Sequence, residues 1–131
     1  MNNSKALIDY WIESAKHDYA TMESLFKTKR YSDSLFYGHL VLEKVLKALV
    51  VKKTHKHTKP IHNLLVLLND AGVELSDEET EFLAEVNKFN IRARYPDYKL
   101  SFYKVCNHEY AKPRLGRIKS IFRTLCLRLK E

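Results

Sequence analysis

With 131 residues, 45% of them hydrophobic, the chain is long enough for one packed domain and too short for two ordinary ones. Three glycines and three prolines favour a few long helices over many short strands, and the isolated Gly38, Gly72 and Gly116 exclude a glycine-rich phosphate loop or dinucleotide fingerprint. A net charge of +7 and a pI near 9.4 favour a polyanionic partner (RNA, DNA, nucleotide or acidic protein) without choosing among them.

From Ser4 the apolar positions Ile8, Trp11, Ala15, Tyr19, Met22 and Phe26 recur at spacings of three and four, one face of a helix predicted over 4–29 with Ser4 as its N-cap. A short turn at 30–33 leads into a second long helix striped by Leu35, His39, Leu42, Leu46 and Leu49, widened by Phe36 and Val50. So short a turn implies that the two helices lie antiparallel. The polar, basic stretch KKTHKHTKP at 52–60 cannot bury itself and reads as a loop. Residues 61–71 then form a short apolar helix with His62 in its first turn, stopped by a left-handed Gly72.

Ser76 and Glu79 make a capping box, and Asp77 and Glu78 add favourable negative charge to the first turn of the next helix. That helix turns Phe82, Val86 and Phe89 inward and runs into NIRARYPDYK, residues 90–99. Pro96 ends it, because the residue before a proline is pushed out of helical geometry. Residues 97–107 are expected to be irregular or briefly extended. The last helix, over 109–129, faces Leu115, Ile118, Phe122, Leu125 and Leu129 to the core, and Pro113 argues for a start later than its pattern suggests. The sum is an all-α, antiparallel up-and-down bundle of four main helices plus a short one, a single domain over 1–131.

The longest aliphatic run, Leu64 to Leu68, is far short of a membrane span, and the N-terminus carries charges where a signal peptide needs an apolar core. Cys106 and Cys126 form no C-x-x-C pattern, so a reduced, soluble, cytoplasmic chain is expected, with one disulfide still open.

Several polar groups invite a functional reading. Glu43 and Lys47 have the favourable spacing of a helix ion pair, worth about 0.3 kcal/mol, yet with Lys44 they border the apolar stripe, where a groove between helices would run. Asp18 falls at the border of the first helix's stripe. If it is inward, it needs a partner such as Arg92 or Arg94. His55, His57, His62, Cys106 and His108 match no structural zinc spacing, so no metal or other cofactor is expected, and His39 reads as a hydrogen-bonded core histidine. In the 90–99 stretch, Arg92 and Arg94 are suited to grip phosphate, Tyr95 to stack on a base and Asp97 to orient an arginine. Equally, Arg94 and Asp97 can pair across a tight turn while Tyr95 packs inward. Residues 110–130 carry Lys112, Arg114, Arg117, Lys119, Arg123, Arg128 and Lys130 with no acidic residue, a basic ridge that is either solvated or partner-facing.

Taken in order, the Trp11/Asp18 first helix, HLVLEKVLKAL at 39–49, IHNLLVLL at 61–68 and NIRARYPDY resemble the HEPN domain family over about residues 6–121. The resemblance implies an antiparallel helical bundle that usually dimerises. Small members are often encoded beside a minimal nucleotidyltransferase and act as ribonuclease toxins or as nucleotide- or RNA-binding partners. HEPN ribonucleases typically carry a histidine after an arginine and four to six intervening residues. Here those positions hold Asp97, Tyr98 and Lys99 counted from Arg92, and Lys99, Leu100 and Ser101 counted from Arg94. Proton transfer near neutral pH has no ready carrier among them.

The expectation is therefore a HEPN-type homodimer that binds nucleotide or RNA, partners a nucleotidyltransferase in a two-gene, toxin–antitoxin-like module, and has no catalysis of its own. Its site comprises Arg92, Arg94, Tyr95, Asp97, Glu43, Lys44 and Lys47, supported by Asp18 and His62. The rivals are an active ribonuclease toxin with an atypical base, His62 or His108, and a helical adaptor that docks an acidic protein.

Overall fold

The structure, a computed structural model, describes residues 3–131, and the side chains of all of these except Ala93, Arg94, Pro96 and Asp97. Among the described residues the chain forms six helices and no strand: α1 (Ser4–Lys27), α2 (Tyr31–Thr54), α3 (Leu64–Ala71), α4 (Asp77–Arg94), α5 (Pro96–Val105) and α6 (His108–Leu129). The all-helical bundle expected from the periodicity is what forms, with one helix more than the pattern predicts.

The middle of the bundle is α2. Its sequence LVLEKVLKALVV is apolar on nearly every side, which suits a helix surrounded by others. It packs against α1, α3, α4, α5 and α6, and Leu35, Val41, Leu42, Val45, Leu46, Ala48 and Val51 are wholly buried. Thr28 to Arg30 alone link α1 to α2, so the two helices return along each other as an antiparallel hairpin. The far side of α2 meets α6, where the missing side chain of Gly38 admits Ile118; a Cβ at Gly38 would lie 2.6 Å from Ile118 Cδ1.

Several boundaries depart from the sequence reading for local reasons. At the start of α1 the N-cap is Asn3, and Ser4 lies inside the helix with its hydroxyl 3.2 Å from His55 Nδ1. The basic loop begins later than expected because α2 continues to Thr54 and stops on a left-handed His55 (φ 59°). Conversely, α3 starts at Leu64 because Asn63 is extended and its side chain accepts from Leu65 N–H; His62 therefore lies outside the helix rather than in its first turn. Gly72, at φ 66°, stops α3 as expected, and a Cβ there would also collide with the Lys53 side chain. The capping box at Ser76 and Glu79 is formed in both directions.

The larger correction is α5, which occupies the stretch expected to be irregular. Proline ends a helix at the residue before it, yet it also suits the first turn of a new one, where no N–H is required. Tyr95 serves both, as C-cap of α4 and N-cap of α5, with its carbonyl accepting from Tyr98 and Lys99 N–H. Likewise α6 begins at His108, earlier rather than later than its pattern, because the Asn107 side chain caps Tyr110 N–H; Pro113 lies inside the helix. At its other end, Lys52 of α2 donates to the carbonyls of Arg128 (3.0 Å) and Leu129 (3.1 Å).

Candidate functional site

Three groups on one face of α2, at successive spacings of four, organise the polar interior: His39, Glu43 and Lys47. All three are buried, with relative exposures of 1%, 4% and 5%. Buried charge persists only when paired and hydrogen-bonded, and here it is. Glu43 Oε2 accepts from Lys47 Nζ at 3.1 Å, and Oε1 accepts from His62 Nδ1 at 3.0 Å. Lys47 Nζ also lies 5.0 Å from the centre of the Trp11 ring, so an aromatic face of α1 covers the ammonium.

His62 is fixed twice. Its ring is held by Glu43, and its carbonyl accepts from His39 Nε2 at 2.9 Å. With Nε2 donating, His39 Nδ1 is an acceptor and takes a hydrogen bond from Asn90 Nδ2 at 3.3 Å. Burial pushes the His39 pKa below the ordinary 6.5, against the opposing pull of the Glu43 carboxylate and the His62 carbonyl. His39 is thus a neutral strut between α2, α4 and the segment before α3. Asn87 of α4 completes the scaffold: its Oδ1 accepts from Leu64 N–H at 2.9 Å and its Nδ2 donates to Asn63 Oδ1 at 3.0 Å.

Between these groups opens a small cleft of about 170 Å³, lined by His39, His62, Asn63, Asn87, Asn90 and Ile91. The His62 side chain is 52% exposed although the carboxylate behind it is sealed. A half-exposed histidine held this firmly, with Nε2 on the ring edge away from Glu43, can accept or pass a proton or hydrogen-bond a ligand.

A second polar layer joins α1 to α2. Lys44 Nζ lies 2.6 Å from Asp18 Oδ2 and donates to Ser14 Oγ at 2.7 Å. Asp18 is buried, at 7% exposure, rather than at a border, and Lys44 neutralises it. The contact is charge to charge: Oδ2 makes no hydrogen bond in this geometry. Lys44 and Lys47 are both committed to acids inside the bundle.

The remaining predicted residues lie elsewhere. Arg92 sits next to Ile91 in sequence but a helical turn's fraction away in direction, so its guanidinium lies over the Phe102 ring at 5.8 Å, in a groove shared with Tyr98, Ser101, Val105 and Tyr110. It is not brought together with Glu43, Lys44 and Lys47. Tyr95 is 56% exposed rather than packed inward. The expectations for Arg94 and Asp97 lie outside the described side chains. His108 stacks near Phe26 and Tyr31, away from the cleft. Among the described residues no group of histidine, cysteine and carboxylate side chains is placed to hold a metal. Burial raises the Cys106 thiol to about 12.

Three cations of the basic ridge of α6 are answered by acids from its neighbours. Arg114 pairs with Glu85 (3.1 Å) and lies over Tyr110, Lys119 pairs with Glu23 (3.1 Å), and Arg117 covers the Phe82 ring within 4.0 Å of Glu78. Lys112 and Arg123 lie along the same helix, and Lys130 is its C-cap.

His39, Asn63, Asn87 and Asn90 are absent from the site expected from sequence. Their signal is faint: a histidine four before Glu43 on α2, and two asparagines three apart on α4.

A bundle built round one buried helix, with a polar cluster at its heart, defines an all-helical domain. Residues 8–129 match the HEPN domain family model, and the chain belongs to the HEPN domain family. The family is associated with nucleotides and RNA and with toxin–antitoxin-type systems, and its members often form dimers. In fold the chain is similar to TT1696 from Thermus thermophilus, known from a crystal structure, with a TM-score of 0.76 over 95% of this chain and 97% of that one at 21% identity. No curated protein matches it. No helix among the described residues is long and apolar enough to cross a membrane.

Proposed function

We propose that this HEPN protein binds nucleotide or RNA without cleaving it, as the cytoplasmic partner of a minimal nucleotidyltransferase in a two-gene, toxin–antitoxin-like module. The observation that carries this reading is the buried Glu43–Lys47 pair holding the half-exposed His62 at a polar cleft. Sealing charges inside a bundle costs several kcal/mol per ion before pairing, and an apolar core would fold as well. A site that needs a firmly oriented polar group gives that cost a purpose. The binding surface then runs from the cleft along α4 to Arg92, Arg94, Tyr95 and Asp97, with Glu43, Lys44 and Lys47 behind it as its frame and Asp18 anchoring Lys44. The 1–131 stretch acts as one domain.

Catalysis is disfavoured by the α4–α5 junction, where the positions that hold the family's ribonuclease histidine carry Asp97, Tyr98, Lys99, Leu100 and Ser101. One observation favours the rival activity: His62 backed by Glu43 has the arrangement of an oriented general base. Both readings meet in one experiment. Purified protein is incubated with RNA and chelator while binding is followed across a salt series, for wild type, Arg92→Ala and His62→Ala. Binding without cleavage, weakened by salt and with a slope shallower by about one for Arg92→Ala, is expected. Chelator-resistant cleavage lost in His62→Ala would establish the ribonuclease instead. Absence of binding at low salt would favour the protein-docking adaptor.

The homodimer belongs to the same proposal. Tyr98, Leu100, Tyr103 and Val105 of α5 are each more than half exposed, with Tyr95 beside them. Leu100 and Tyr103, three apart, share one side of α5, and this exposed apolar pair suits a second copy. Light scattering should give a dimer for wild type and a monomer for Leu100→Asp/Tyr103→Asp.

A further inference from the structure

The cleft beside His62 has a wall chemistry of its own. Among the described residues its lining has no lysine or arginine, and the Glu43 carboxylate lies directly behind the His62 ring. Most amides at the start of α3 are also taken: Leu64 N–H by Asn87, Leu65 N–H by Asn63, and Leu67 N–H by the Asn63 carbonyl. From these groups a phosphate has little to gain. What the cleft offers is a short set of neutral hydrogen-bonding groups. Glu43 accepts from His62 Nδ1, so Nε2 of the neutral ring is an acceptor. Asn90 commits Nδ2 to His39 and leaves Oδ1 as a second acceptor, while Asn63 commits Oδ1 and leaves Nδ2 as a donor. Each orientation is fixed by a partner, Glu43 behind the wall and His39 and Asn87 within it, so the pattern is preset.

At about 170 Å³ the space is too small for a whole nucleotide, since ligand pockets of drug size run to about 300–1,000 Å³. It suits one flat heteroaromatic ring, with Ile91, half exposed at the rim, as its apolar contact. From these features we infer that the cleft is a nucleobase seat, selective for a base with an exocyclic amine next to a ring acceptor, as in adenine or cytosine. The amine donates to His62 Nε2 and Asn90 Oδ1, and the ring nitrogen accepts from Asn63 Nδ2. This rests on the nucleotide-binding reading and gives it a base preference, with the phosphate left to cations outside the cleft.

Free nucleosides isolate the base from the phosphate. The test follows the side-chain amide resonances of Asn63, Asn87 and Asn90 in the full chain during titration with adenosine, cytidine, uridine or inorganic phosphate. Adenosine and cytidine should move them, with uridine at least about tenfold weaker and phosphate without effect. His62→Ala should weaken adenosine binding about tenfold or more. Ile91→Trp, a change at an exposed rim position, should fill the seat and abolish nucleoside binding while the backbone spectrum stays folded. If RNA or nucleotides bind in a salt-dependent manner but nucleosides leave the amides unmoved, the base seat is overturned and the nucleotide-binding reading stands. Phosphate moving the same amides, uridine matching adenosine, or Ile91→Trp binding as wild type would each overturn it as well. If nothing binds at low salt, both readings fall together.

Discussion

Two regions of the bundle carry charge in opposite ways. Around α2, Glu43, Lys47, Asp18 and Lys44 are drawn away from water and tied to one another in pairs. Along α6, Arg114, Arg117 and Lys119 lie at the surface, each opposite one acid of a neighbouring helix. In the sequence the second region, seven cations without an acid, suggests a field and reads as a ridge that is either solvated or partner-facing. In the fold those acids arrive from α1 and α4. A charge run on one helix therefore says little about free potential until its neighbours are known. The sparse, mixed-sign residues of α2 are the ones held with precision.

The comparison breaks most readily at Glu43. Glu43→Ala leaves Lys47 buried without its counter-ion and His62 without its anchor, and should cost about 3–5 kcal/mol in urea denaturation. The paired replacement Glu43→Leu with Lys47→Met should recover most of that stability, because apolar groups of similar size substitute well for a buried ion pair. It should nevertheless lose nucleotide binding. Recovery of both would mean that the cluster serves no ligand. Next in size, Asn63→Ala removes the cap of α3 and its tie to Asn87, an expected loss of about 1–2 kcal/mol by the same measurement.

A pH series sharpens the same contrast. The folded chain holds His39 below 6.5, so between that lower value and 6.5 the unfolded state binds more protons. Stability from this group is complete above about 6.5 and falls as the pH drops through 6.5 toward the folded pKa. Denaturant midpoints compared at about pH 7.5 and 5.5 should fall less in His39→Gln than in wild type. An equal fall in both would remove His39 as the source. The smallest effect is expected on α6: Lys119→Ala, losing a partly exposed pair with Glu23, should change stability by less than about 1 kcal/mol, and less still in high salt.

Much of this architecture is legible from periodicity. The stripes of α1, α2, α4 and α6, the capping box at Ser76 and the left-handed stop at Gly72 depend on neighbours within one or two turns, so local sequence encodes them. The hidden α5 shows how one residue carries two messages, for Pro96 reads as a terminator and is also a good first residue. The site is less legible. His62 meets Glu43 across 19 residues, Asn87 meets Asn63 across 24, and Lys44 Nζ reaches Ser14 across 30. Such pairs exist only once α1, α3 and α4 have docked on α2, and no spacing rule announces them. Arg92 illustrates the reverse: its type invites a role beside Glu43, but its angular position on α4 turns it toward Phe102.

The Lys52 ammonium, seated on the last carbonyls of α6, joins the two ends of a long detour of chain. It acts as a clasp for a terminus that would otherwise fray first, placing positive charge where the helix dipole is most negative. Amide protons in the final turn of α6 should accordingly exchange with the tempo of the middle helix rather than that of a loose end.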